Sequence, residues 1–79
     1  MMAKNIIVYV KTGCPWCIGV TSFLKGKSVV FEERNVTENK GFFDEMVAKS
    51  GQSKAPTLDI DGHILADSDK EAVADYLKI

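Results

Sequence analysis

The sequence predicts an α/β fold: a four-stranded mixed sheet with helices on both faces, in the order β-α-β-α-β-β-α. Three observations lead there. The β-branched and aromatic run from Asn5 to Lys11 has no polar residue in its middle, as befits a strand buried on both faces. Two segments of helical periodicity then alternate with a second strand-like run. Last come two short apolar runs separated by Asp61-Gly62, a hairpin signal. A parallel βαβ half joined to an antiparallel hairpin accounts for all three, and helices must cover both faces of a sheet so largely buried.

After the first strand and the Thr12-Gly13 turn, Pro15 suits the first turn of a helix, where its missing N–H is harmless. Val20, Phe23 and Leu24 give that helix its apolar face, and it ends near Gly26. Val29 to Val36 begins apolar and turns polar, as expected of a strand nearer a sheet edge, and Thr37 is placed to cap the next helix. This second helix runs from about Glu38 to Ser50 and stops at Gly51. Its Phe42, Phe43, Met46 and Val47 form a core stripe, and Asp44, Glu45 and Lys49 fall on the other side. Pro56 opens the third strand, Thr57 to Ile60, and His63 to Ala66 returns as the fourth, with His63 in the hairpin turn and without chemistry. Ser68-Asp69-Lys70-Glu71 matches a capping box, and Ala72, Val73, Tyr76 and Leu77 supply the inward stripe of a third helix.

A chain of 79 residues has material for a single domain, residues 1–79. Ten basic residues against 11 acidic ones give a net charge of −1, which suggests neither disorder nor a polyanion-binding surface and argues against nucleic acid as a partner. The first apolar run is too short for a membrane span or a signal peptide and leads straight into Lys11 and a cysteine pair. The expected location is therefore the cytoplasm, with no membrane partner.

Cys14 and Cys17 are the only cysteines. A bridge between residues so close constrains little unfolded-chain entropy, and a reducing compartment keeps structural disulfides open, so a reversible bond is the better explanation. A thiol with an unperturbed pKa of about 8.5 is only slightly ionised at neutrality and needs help to attack a disulfide. Cys14, just before a helix, has unpaired N–H groups and the macrodipole to favour its thiolate, and Lys11 adds a nearby cation. Cys17, one turn in, is more shielded. Cys14 is thus the expected nucleophile and Cys17 the resolving thiol. Two incidental core cysteines are the plainer alternative, weighed against a Cys-x-x-Cys after a strand in a βαβ pattern. Two cysteines and a distant histidine do not make a structural zinc site, so no metal is expected.

The block Tyr9-Val10-Lys11-Thr12-Gly13-Cys14-Pro15-Trp16-Cys17, then Ala55-Pro56 and Asp67-Ser68-Asp69, resembles glutaredoxins over nearly the whole chain. The resemblance implies a thioredoxin-like fold of minimal glutaredoxin topology and a thiol-disulfide oxidoreductase with glutathione as cosubstrate and electron donor. It further implies a cis bond before Pro56, which alone would read as a trans proline opening a strand. The backbone of Ala55 would pair with the glutathione peptide, Lys11 would bind the glycyl carboxylate, and Trp16 would flank the site. Ser68 and Asp69 would hold the γ-glutamyl group. Residue by residue, Ser68 reads equally as a helix cap, Lys11 as the solvated end of a strand, and Trp16 as a contact platform or a half-buried side chain.

The chain departs from the family at Leu65-Ala66, where two glycines are usual and where side chains would narrow the glutathione groove, and at Ala55, which replaces valine. Gln52 matches a polar family position; Ser53 and Lys54 replace arginine and threonine, with Lys54 offering a charge to the glycyl carboxylate. The expected partners are glutathione and disulfide-containing or glutathionylated proteins, met by a monomer. One alternative is a redoxin reduced by thioredoxin reductase, in which Ala-Pro is familiar but a Trp-Ser-Gly-Phe-Arg stretch is usual. Another is a dimer bridging an iron-sulfur cluster, which Pro15 disfavours.

Overall fold

The computed structural model describes residues 5–66 and 70–78. Its elements are β1 (Ile6–Val10), α1 (Pro15–Gly26), β2 (Glu32–Asn35), α2 (Lys40–Ser50), β3 (Thr57–Ile60), β4 (His63–Leu65) and α3 (Lys70–Leu77), in the predicted order. They form one mixed sheet ordered β2-β1-β3-β4: β1 pairs with β2 in parallel and with β3 antiparallel, and β4 closes the hairpin.

The alternation of β1 divides the core. Ile6, Val8 and Val10 face one side, joined by Leu58 and Ile60 of β3, Cys17, Val20 and Leu24 of α1, and Val73 of α3. Tyr9 faces the other side with Val36 and Met46, and Ile7, Phe42 and Phe43 pack against them. A strand buried on both faces needs apolar residues at successive positions, which is why the run lacks the polar alternation of a half-exposed strand.

The structure moves several boundaries. Val29 gives its N–H to Leu24 O at 2.9 Å, finishing α1, so the β2 ladder begins only at Glu32, opposite Ile7. Val29 and Phe31 still pack against the core, but Val30 is 85% exposed. α1 does end at Gly26, as expected, and the left-handed residue that follows it is Ser28, at φ 59°. The cap of α2 is Asn39, whose side chain accepts the Phe42 N–H, and not Thr37. In α3 only Val73 is buried; Ala72 and Tyr76 are exposed and Leu77 is half-buried. Tyr76 instead stacks on His63, their ring centroids 4.5 Å apart. The hairpin turns through left-handed Asp61 (φ 50°) and Gly62 (φ 91°), the pair of positive φ values a type I′ turn requires.

Polar residues of α2 also reach the sheet. Glu45 and Lys49 do not simply face solvent: the Tyr9 hydroxyl donates to Glu45, which also receives Arg34, while Lys49 donates to Tyr9 Oη at 2.8 Å and to Asp59 at 2.7 Å. The buried tyrosine thus has its polar end satisfied where α2 crosses β1, β2 and β3.

Candidate redox site

The carboxyl end of β1 carries the chain into the Thr12-Gly13 turn, where Gly13 takes φ 74°, a conformation a side chain would strain. Cys14 comes next as the N-cap of α1 in extended conformation (φ −95°, ψ 108°), with Pro15 at the first helical position. Its Sγ accepts the Cys17 N–H at 3.2 Å, and its carbonyl accepts the Ile18 N–H at 3.1 Å. Sulfur occupies the place that a serine or aspartate oxygen commonly takes, at the positive end of the helix. Proline, having no N–H, leaves the sulfur the donors further in.

Cys17 lies one turn on, only 2% exposed, against the α1-side core. Its thiol is pushed up to about 12, chiefly by burial and then by the hydrogen bond and charge of Cys14, against the opposing pull of the Lys11 backbone N–H and ammonium. Both cysteines are free thiols, Cys14 partly exposed and Cys17 buried. Sequence reasoning anticipates this asymmetry.

Opposite them lies the start of β3. Tyr9 pairs with Thr57 in the antiparallel ladder, so the residues just before Thr57 run alongside those just after Tyr9. Ala55-Pro56 therefore comes to the end of β1 that leads to Cys14. That peptide bond is cis, and Pro56 is buried. Ala55 and Cys14 pack against the same core cluster. Lys11, half-buried, succeeds β1 directly, and Trp16, at 67% exposure, stands on the first turn of α1. Leu65 is taken up by the core, while Ala66 is exposed. Ser68 and Asp69 lie outside the described residues.

A side-chain network missed by sequence reasoning braces the turn before Cys14. Asn35, at the end of β2, accepts the N–H groups of Thr37 (2.8 Å) and Glu38 (3.1 Å) and donates to Thr12 Oγ1 at 3.1 Å. Thr37 Oγ1 in turn accepts the Thr12 N–H at 3.1 Å, so its hydroxyl serves this turn and not α2. A polar triplet far apart in sequence gives no periodic signal, and only the parallel pairing of β1 with β2 brings the loops together.

The glutaredoxin family model matches residues 6–65. The chain belongs to the glutaredoxin family. Its relatives include a glutaredoxin-like 8.6 kDa protein of the Clostridium pasteurianum rubredoxin operon, 34% identical over 68 residues, which are 86% of this chain and 91% of that protein. Glutaredoxin 3 of Escherichia coli (strain K12) is 31% identical over 65 residues, 82% of this chain and 78% of its own. The crystal structure of the thioredoxin-like protein BC3987 superposes with a TM-score of 0.84 at 30% identity, covering 91% of this chain and 99% of that one. The overall fold of the chain agrees with that thioredoxin-like neighbour, and membership of the glutaredoxin family supports thiol-disulfide oxidoreduction as its class of chemistry.

Among the described residues no three His, Cys, Asp or Glu side chains gather as a metal would require, and no helix is long and apolar enough to cross a membrane. A cavity of about 410 Å³ opens at the far end of β1, between Ile7, Phe31, Glu32 and Arg34, away from both sulfurs.

Proposed function

We propose that this chain reduces glutathione mixed disulfides and protein disulfides in the cytoplasm, acting as a monomer with Cys14 as nucleophile and glutathione as electron donor. The observation that carries the reading is the Cys14 Sγ capping α1, where an amide N–H already points at it. In the first step the Cys14 thiolate attacks the glutathione sulfur of a mixed disulfide. The S–S bond breaks, the substrate thiolate leaves and takes a proton from water, and Cys14 becomes glutathionylated. A second glutathione thiolate then attacks the glutathionyl sulfur, producing glutathione disulfide and regenerating the Cys14 thiolate.

For a protein disulfide, Cys17 completes the reaction by attacking Cys14 Sγ and expelling the bound thiol. Burial is the main influence that holds Cys17 protonated, which keeps this thiol for the second step rather than the first. Lys11, Trp16, the Ala55 backbone, Ser68 and Asp69 bind glutathione in this reading, with Pro56 shaping the floor.

Cys14→Ser is expected to lose all activity, whereas Cys17→Ser should still deglutathionylate a glutathionylated peptide yet fail to reduce a peptide disulfide. Turnover by Cys14→Ser would remove the nucleophile assignment. A second reading, reduction by thioredoxin reductase, is favoured by Ala55 in place of valine and by Leu65-Ala66 in place of glycines. NADPH consumption with glutathione plus glutathione reductase, compared with thioredoxin reductase alone, separates the two donors.

A further inference from the structure

The loop before Pro56 is held from inside by two side chains to which the sequence gives no role. Thr57 is fully buried although polar, and Gln52 is half-buried. Gln52 Oε1 accepts the Lys54 N–H. Thr57 Oγ1 donates to Lys54 O at 2.7 Å, and Gln52 Nε2 approaches the same carbonyl at 3.3 Å, Thr57 Oγ1 at 3.2 Å and Ser50 Oγ at 3.5 Å. Both backbone polar groups of Lys54 are thus captured by one clamp.

The Lys54 carbonyl belongs to the same planar unit as the Ala55 N–H, and in a trans peptide the two point in opposite directions. Drawing the carbonyl inward onto Thr57 turns the Ala55 N–H outward. We propose that Gln52 and Thr57 are positioning residues that fix the Lys54-Ala55 peptide plane so that Ala55 presents its N–H to the peptide of a glutathione adduct. The inference rests on the proposed function, in which the Ala55 backbone receives that adduct. It also assigns Gln52 away from direct ligation, because both ends of its amide are engaged within the loop. Fixing the plane beforehand lowers the ordering cost of binding and leaves the chemistry at Cys14 unchanged.

The test compares Thr57→Val, which keeps the shape and removes the donor, with Thr57→Ser, which restores a hydroxyl. For turnover of a glutathionylated peptide, Thr57→Val raises KM about tenfold, the factor one lost hydrogen bond supplies, while kcat and the alkylation rate of Cys14 stay within about twofold. Thr57→Ser returns KM to near the wild-type value. An unchanged KM in Thr57→Val, or a Thr57→Ser no better than Thr57→Val, overturns the assignment. Gln52→Ala, at a less buried position, repeats the comparison should Thr57→Val fold poorly. Amide hydrogen exchange distinguishes failure of the clamp from failure of the function. A wild-type protein inactive on the glutathionylated peptide removes the proposed function, and equal exchange at Lys54, whose N–H the clamp holds, in wild type and Gln52→Ala removes the clamp.

Discussion

A sulfur atom as the cap of a helix does two things at once: it satisfies an orphan N–H, and it sets an ionisable group where a negative charge is favoured. Cys14 and Cys17 differ because the helix turns one toward solvent and the other into the core. Burial first, then the neighbouring sulfur, lifts Cys17 to about 12, so it remains a thiol near neutrality. Brief iodoacetamide treatment of the reduced protein at pH 8 is therefore expected to modify Cys14 alone, as read by peptide mass spectrometry. Comparable labelling of Cys17 would contradict the asymmetry. Trp16 offers a second residue-scale check. Being 67% exposed, it contributes little to folding, and Trp16→Ala should leave thermal stability within about 0.5 kcal/mol while raising KM for glutathionylated substrates several-fold. The dithiol is legible in sequence because spacing, proline and the preceding strand are all local. The roles of Asn35 and Thr57 are not, since each depends on partners that only pairing of strands or folding of a loop supplies.

Elements show the same division between local and distant causes. β1, α1 and the hairpin fall where sequence places them, because an apolar run, a proline-led helix start and an Asp-Gly turn each carry their own signal. β2 and the start of α2 do not, because tertiary bonds compete for the same groups. Val29 completes α1 instead of joining the ladder, and the Thr37 hydroxyl is drawn to the Thr12 turn, leaving Asn39 as the cap. Asn35 joins the two turns and is the residue whose loss should be felt in both. Asn35→Ala is expected to cost about 1–2 kcal/mol in urea unfolding, by freeing two turn N–H groups and the Thr12 contact together. Asn35→Asp keeps the acceptor for Thr37 and Glu38 and loses only the donor to Thr12, so its cost should be smaller. Equal losses in the two variants would mean that the turn N–H groups do not depend on this side chain.

At the scale of the whole molecule, the sheet divides two unlike faces. The α1 and α3 side is apolar and holds the cysteines, whereas the α2 side mixes Tyr9 and Met46 with the ion-paired set Arg34, Glu45, Lys49 and Asp59. Glu45 and Lys49 lie along the edge of the apolar stripe of α2, Lys49 two turns on from Phe42, and from that edge they reach the hydroxyl of a buried tyrosine that only the pairing of α2 with the sheet brings near. The arrangement makes one face sensitive to acid. The Tyr9 hydroxyl first, then the positive charge of Arg34, outweighs burial and holds Glu45 below the ordinary carboxylate value. Burial pushes Asp59 up, but Lys49 and the Gly62 N–H more than reverse it. A carboxylate lowered on folding binds fewer protons in the native state than in the unfolded chain. Its contribution is complete above the unfolded value of about 4 and disappears as the pH drops through the lower native one. Stability should therefore be flat between pH 7 and about pH 5 and fall below about pH 4, by the same linkage. Glu45→Gln, which retains an acceptor for Tyr9 but cannot titrate, should begin less stable at neutrality and decline less steeply in acid. Urea midpoints of the two proteins, measured in steps from pH 7 to pH 3, should converge as the pH falls; midpoints that stay parallel would mean that Glu45 titrates alike in the folded and unfolded chain.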